Sequence, residues 1–440
     1  MSDTVRLRVE KAVYGGDGLA RLPDGRAVFV PMTLPGEMVE SRMVDAHRGV
    51  ARAEVVEIVE PVDGRTSPLC KHYGICGGCH YQHATYELQL MLKREVLRDT
   101  MQRAGVSAPE IQVHAGKPWG YRNRIRLHFL READGRLRLG YKRRRTNDAF
   151  ALEECPIAAP VLLRAAAALA ASTTGAPWAD AADEAEIFCN ERGQVIVAVL
   201  LAPGVRATGA TETEFDAAIV RLQRSLPELA GAGLYRQSSR AGQPPTEIAG
   251  WGAVELECSV GGQVYRVGRG AFFQVNAAGA AQLMKIVAGD RQGALAWDLY
   301  AGVGLFSVAL SRRFMRVVAV ESAAAALGSL RENLHAAGEQ HRALENTTVE
   351  FLRRTAAPSS KRPPQLVVAD PPRAGLGAEV CKLLAQVGPA EMVYVSCDPV
   401  TLGRDLAALV ESGYRLRALH LVDLFAQTFH METVAELARG

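Results

Sequence analysis

From about residue 270 onward the chain alternates apolar strand patterns with helical ones, and this alternation limits the possible folds more than any other feature. "ALAWDLYAG" runs into the helical "LFSVALSRR", and "RVVAVES" into "AAAALGSLRENLHAA". After these come "TVEFLRR", then "PQLVVADPP" with "AEVCKLLAQVG", and "EMVYVSC" with "TLGRDLAALVESG". Buried apolar strands separated by helices predict an α/β domain of Rossmann-like type, a parallel sheet with helices on both faces. "YRLRALHLVDLF" and "METVAELAR" read as a closing pair of strands.

The rest of the chain reads differently. Residues 1–60 are short strand patterns punctuated by Gly15-Gly16-Asp17-Gly18, Pro23-Asp24-Gly25 and Pro35-Gly36, as expected of a small β-barrel. Pro61 to Pro68 reads as a linker, and residues 85–103 as an amphipathic helix. Residues 116–268 are β-leaning, with one alanine-rich helix at 158–171. At 440 residues two or three domains are expected, and we place them at 1–60, 61–268 and 269–440. No apolar run reaches the roughly 18 residues of a membrane span. The first 25 residues carry Asp3, Glu10 and Asp17 with no apolar segment, so no secretory signal and a cytoplasmic protein are expected.

Charge matters through its distribution. Residues 121–145 hold ten Lys/Arg against Glu132 and Asp134, a local +8 within a chain of net +3. Interleaved Tyr121, His128, Phe129 and Tyr141 suit a phosphate-tracking surface with stacking groups, although a solvated strand face would read the same. The first 60 residues carry eight basic and ten acidic side chains, so charge alone does not mark the barrel as an RNA binder.

Ligands on such sheets bind beyond the carboxyl ends of the strands. There the sequence places Asp298-Leu299-Tyr300-Ala301-Gly302-Val303-Gly304, Glu321, Asp370-Pro371-Pro372-Arg373 and Ser396-Cys397-Asp398-Pro399. Glu321 is positioned to bind a ribose diol, which serves NAD and S-adenosylmethionine alike. Ser307 in place of a third glycine argues against NAD. Asp-Pro-Pro turns also occur in methyltransferases acting on base amino groups, but an amine needs no thiol. Cys397 makes sense if carbon 5 of a uracil is the target: that carbon becomes nucleophilic once a thiolate adds at carbon 6. Asp398 as N-cap and Pro399 at the first helical position set Cys397 beside a helix N-terminus, which favours the thiolate, while the charge of Asp398 opposes it. Glu432 follows His430 near the end of the last strand pattern and is the candidate to remove the carbon 5 proton.

In "CKHYGICGGC", Cys70, Cys76 and Cys79 need a fourth ligand, and Cys155 is followed by proline, as iron–sulfur ligands often are. Spacing alone divides evenly between zinc and iron–sulfur. Cys189, Cys258 and Cys381 read as ordinary thiols.

Together these motifs resemble the RumA/TrmA-type RNA uracil-5 methyltransferases over nearly the whole chain. "VYGGDGLAR" resembles the signature of the TRAM domain, an OB-like RNA-binding barrel. By the resemblance, Gln274 of "FFQVN", Tyr300, Glu321 and Asp370 bind S-adenosylmethionine, Cys397 is the nucleophile and Glu432 the base. Cys70, Cys76, Cys79 and Cys155 hold a 4Fe–4S cluster, as in the RumA branch. Two departures stand out: Ala426 where a proline is expected, and "SCDP" in place of the frequent "SCNP". The implied activity is methylation of a uridine in structured RNA, most readily 23S rRNA, with tRNA as the alternative, by a monomer. The rivals are base-amino methylation through Asp370-Pro371-Pro372 and a non-catalytic RNA-binding factor.

Overall fold

A computed structural model describes residues 4–47, 49–204, 209–240, 243–356 and 363–440, so the first three residues of the expected barrel lie outside the described residues. Strands Thr4–Ala12, Asp17–Arg21, Ala27–Pro31, Val50–Glu60 and Met38–His47 close, in that spatial order, into a barrel. Alternation along them turns Leu7, Val9, Val28, Val30, Val39, Ala51 and Ala53 inward, which gives the barrel its own small core.

The middle of the chain forms a seven-stranded sheet in the order Thr246–Gly252, Leu229–Arg236, Val195–Leu201, Ala182–Cys189, Arg124–Arg131, Leu137–Lys142, Ala149–Ala151. Its apolar face packs against the alanine-rich helix, observed at Pro160–Thr173, and against a second helix, Gly209–Ser225. The sequence reading had no helix at the second position. Phe215, Ala218, Ile219 and Leu222 supply its buried stripe at helical spacing.

The C-terminal sheet has eight strands in the order Arg342–Glu345, Phe314–Glu321, Gly293–Leu299, Leu366–Ala369, Glu391–Ser396, Glu432–Arg439, Tyr414–Val422, Ile111–His114. The first five run parallel, and Glu432–Arg439 enters antiparallel beside Glu391–Ser396. The closing pair is therefore as expected, and the sheet is mixed. Residues 348–355 form a helix, begun by a capping box between Thr347 and Glu350. Winding reverses at Gly293–Leu299, which opens a crevice at the carboxyl ends of the parallel strands.

This unit also takes elements from earlier in the chain. Ile111–His114 pairs with Tyr414–Val422 as the edge strand. Helix Tyr86–Arg103 packs Val96, Leu97 and Met101 into a core shared with Leu402, Leu406 and Leu409. The hairpin Glu255–Val260/Gln263–Gly268 packs into the core that holds helix Ala277–Ala288. The stretch expected as a separate central domain, 61–268, thus interleaves with the 269–440 sheet at three places. Among the described residues no helix is long and apolar enough to cross a membrane.

Candidate active site

Strand register brings the two expected catalytic residues together. Ser396 pairs with Thr433, and the Thr433 hydroxyl donates to the Ser396 carbonyl at 2.8 Å. In an antiparallel pair the next residue of one strand meets the preceding residue of the other, so Cys397 lies against Glu432. Glu432 opens the last strand; the sequence reading had placed it near that strand's end.

Asp370 follows the neighbouring strand, and its N–H donates to the Leu299 carbonyl at 3.3 Å. Burial, then the charge of Asp298, raises its carboxyl above the ordinary range. Burial, then Asp370, holds Glu432 well above the ordinary carboxylate range. Cys397 is only partly buried, yet burial pushes its thiol up to about 11. Glu432 and Asp370 push the same way, and Arg373 opposes them. Burial and the two carboxyl groups thus oppose the thiolate in the free enzyme. Asp398 caps the following helix by accepting from the N–H groups of Val400 and Thr401 at 2.9 and 3.0 Å, so Asp serves here as Asn would.

Three of the expected cofactor residues, Tyr300, Glu321 and Asp370, lie at the carboxyl ends of the parallel strands. Tyr300 sits in the left-handed region at φ +61°, an uncommon conformation for a residue with a side chain, and Gly302 and Gly304 follow at +56° and +95°. A Cβ built on Gly302 would meet none of the described residues within 4 Å, so the backbone there faces open space. Glu321 accepts from the Gly302 N–H at 2.8 Å and from Ser322 and Ala323 at 2.6 Å each. A carboxylate has about four lone-pair sites, so one remains for a hydroxyl donor. Asp298 is fully buried; one oxygen accepts from Ser307 at 2.5 Å and the other has no hydrogen-bond partner among the described residues. Ser307, the residue that breaks the glycine pattern, thus holds an acidic group under the loop. Gln274 is buried on the stretch leading into helix Ala277–Ala288, where Asn276 binds the Leu424 carbonyl at 3.0 Å.

The 423–431 loop is gripped from the middle of the chain, and the sequence reading missed this. Gln427 has φ +70°, and its carbonyl accepts from the N–H groups of His80 and Tyr81 at 2.8 and 3.0 Å. Gln89 exchanges hydrogen bonds with Gln427, and Tyr121 donates to the Ala426 carbonyl at 2.8 Å. Ala426, where a proline was expected, is fully buried under that contact. Burial and nearby cations push His430 down to about 4 and His80 down to about 3.

Cys70, Cys76, Cys79 and Cys155 all line one cavity of about 320 Å³. Burial pushes Cys155 up to about 11 and Cys79 up to about 12, and nearby thiols add to both shifts. Among the described residues no group of three His, Cys, Asp or Glu side chains is drawn together to hold a metal ion, and all four thiols are free. Cys189, Cys258 and Cys381 are buried elsewhere.

The basic stretch needs correcting. Arg124 is buried against Glu186, Arg126 pairs with Glu184, and Arg144 and Arg145 both pair with Asp17 of the barrel. Tyr121 is buried and presents no face for stacking on bases, while Tyr141 is half-buried against the central core. Opposite charges distant in sequence neutralise much of a run that looks cationic by itself.

A doubly wound sheet with acidic groups and a thiol at the carboxyl ends of its strands, joined to a barrel, is the arrangement expected of an RNA-acting methyltransferase. The sequence pattern of the tRNA (uracil-5-)-methyltransferase family matches residues 253–439, and that of the TRAM domain residues 2–56. The 23S rRNA (uracil(1939)-C(5))-methyltransferase RlmD of Chromohalobacter salexigens is 32% identical over 98% of this chain and 89% of its own length. RlmD of Alkalilimnicola ehrlichii is 33% identical over 97% and 94%. The crystal structure of Pyrococcus abyssi tRNA (uracil-54, C5)-methyltransferase with S-adenosyl-L-homocysteine shares the fold at TM-score 0.74 and 23% identity, covering 99% of this chain and 100% of that one. The chain belongs to the RNA uracil-5-methyltransferase family.

Proposed function

We propose that this enzyme methylates carbon 5 of a flipped-out uridine in 23S rRNA through a covalent adduct with Cys397. The observation that supports the reading is the Ser396–Thr433 register, which brings Cys397 and Glu432 to neighbouring ends of adjacent strands. In the proposed sequence the Cys397 thiol gives up its proton to water as RNA enters, and its sulfur adds to carbon 6 of the ring. Carbon 5 then carries the electron pair and takes the methyl group. Glu432 removes the carbon 5 proton, the carbon 5–carbon 6 double bond re-forms, and the Cys397 sulfur leaves. The raised proton affinity of Glu432 favours its neutral form at rest and makes it a stronger acceptor once it is ionised.

S-adenosylmethionine would supply an electrophilic methyl group. The open face at Gly302, the spare lone pair of Glu321 and the unpartnered oxygen of Asp298 fit that ligand. Tyr300, Asp370 and Gln274 complete the proposed binding set. Cys70, Cys76, Cys79 and Cys155 line one cavity and have the chemistry of a 4Fe–4S ligand set, but they would have to draw closer together to hold a cluster, which would then tie residues 70–79 to the central sheet.

The test is mapping of 5-methyluridine in total RNA with and without the gene, together with transfer of labelled methyl to purified 23S rRNA and tRNA. Loss of one 23S rRNA site supports the reading. Loss confined to tRNA would reassign the substrate, and methyl found on a base amino group would overturn the chemistry.

A further inference from the structure

The barrel reaches into the catalytic turn. Tyr14 sits in its first hairpin, between strands Thr4–Ala12 and Asp17–Arg21. That turn is tight, with Gly15 at φ +111° and Gly16 at +88°. It is closed by hydrogen bonds from the Val13 N–H to Asp17 and from the Gly16 N–H to Val13. It is also anchored from outside: Asp17 binds Arg144 and Arg145 at 3.1 and 2.7 Å, and Gly16 lies so close to His80 that an added Cβ would approach it to 3.0 Å. Tyr14 is thus delivered on a fixed support.

Its hydroxyl lies 3.3 Å from the carbonyl oxygen of Cys397 and donates to it. Its ring meets Phe429 edge-on, with centroids 5.3 Å apart. The first contact is on the peptide joining the nucleophile to its helix cap, and the second is on the loop three residues before Glu432. Within the turn itself, Ser396 binds the N–H and carbonyl of Asp398, at 3.2 and 3.0 Å. The Cys397 carbonyl is held instead by the barrel. Burial and the Asp398 carboxylate raise the phenol well above its ordinary range, so it stays a neutral donor.

We propose that Tyr14 is a positioning residue that fixes the Cys397–Asp398 peptide and so aims the nucleophile, which makes the barrel part of the catalytic geometry as well as an RNA-binding appendage. The inference rests on Cys397 being the nucleophile.

The test compares full-length wild type with Tyr14→Phe, which deletes one hydroxyl and keeps the ring against Phe429. Three quantities are read: single-turnover methyl transfer at saturating 23S rRNA, RNA affinity by filter binding, and backbone hydrogen exchange across 396–401. The expected result is a transfer rate lower by about tenfold, the size of one lost hydrogen bond that holds the nucleophile's peptide. RNA affinity should stay within about twofold, since the phosphate contacts are untouched. Exchange across 396–401 should quicken. Weakened RNA affinity with an unchanged saturated rate would overturn the proposal, because the barrel would then act in binding alone. So would unchanged rate and exchange together. Cys397→Ala run in parallel separates the two readings. If it is inactive while Tyr14→Phe transfers normally, the role of Tyr14 alone fails; if it transfers methyl groups normally, the nucleophile reading fails and this inference with it.

Discussion

Lys93 and Asp423, 330 positions apart in the chain, meet at 2.6 Å with neither side chain exposed. Lys93 also donates to the Phe425 carbonyl at 3.1 Å, so helix Tyr86–Arg103 fastens the start of the loop that leads to Glu432. Removing one partner of a buried ion pair leaves the other uncompensated, at a cost of roughly 3–5 kcal/mol. Lys93→Met should therefore lower unfolding stability in urea by that order, and Lys93→Met with Asp423→Leu should recover much of the loss. A single variant as stable as wild type would show that the pair holds nothing.

The thiol of Cys397, pushed up to about 11, should alkylate slowly in the free enzyme. At pH 8 the thiolate fraction of such a group is on the order of 0.1%. Iodoacetamide labelling of the peptide containing Cys397 should rise steadily from pH 7 to 10 without a plateau. Glu432→Gln removes the larger of the two acidic contributions and should speed labelling at pH 8. A plateau near pH 7 in wild type would mean that the helix N-terminus prevails over burial after all.

Asp298 is the clearest source of pH-dependent stability. Its folded affinity for a proton is raised, to about 7 from 3.8, so the native state binds the proton more tightly than the unfolded chain. The favourable contribution is complete below about pH 4 and is lost as pH rises through 7. Asp298→Asn has no such loss, and its amide oxygen can still accept from Ser307. Relative to this variant, wild type should weaken between pH 4 and 7 by up to roughly 4 kcal/mol, the equivalent of the full shift. Chemical denaturation across that range checks it; parallel curves for the two proteins would show that Asp298 ionises normally.

If the four thiols hold a cluster, its loss should be felt at the catalytic loop. Cys79 immediately precedes His80 and Tyr81, whose N–H groups hold the Gln427 carbonyl. Anaerobic chelation of iron, followed by the loss of visible absorption, should lower thermal stability and quicken hydrogen exchange across 423–431. Unchanged stability would count against a staple.

Local pattern made the C-terminal sheet legible. Apolar strands ending in Asp298, Glu321, Asp370 and Cys397 put the acidic groups and the thiol at one edge, and strand order did the rest. The helix at 209–225 was harder to read because its stripe of Phe215, Ile219 and Leu222 lies among charged residues. The basic run at 121–145 misled because Glu184, Glu186 and Asp17, which neutralise part of it, come from other strands. Tyr14 on Cys397 and Lys93 on Asp423 are contacts between distant segments, and no local signal announces them.

Covalent attack by Cys397 is tested most directly by incubating Glu432→Gln enzyme with 23S rRNA and S-adenosylmethionine, then denaturing. The variant can form the bond and transfer the methyl group but lacks the carboxylate that takes the carbon 5 proton. The expected result is an RNA–protein species stable to denaturant whose digestion maps the nucleotide to Cys397, and which is absent from Cys397→Ala. No adduct from Glu432→Gln, together with near-normal methylation by Cys397→Ala, would contradict it.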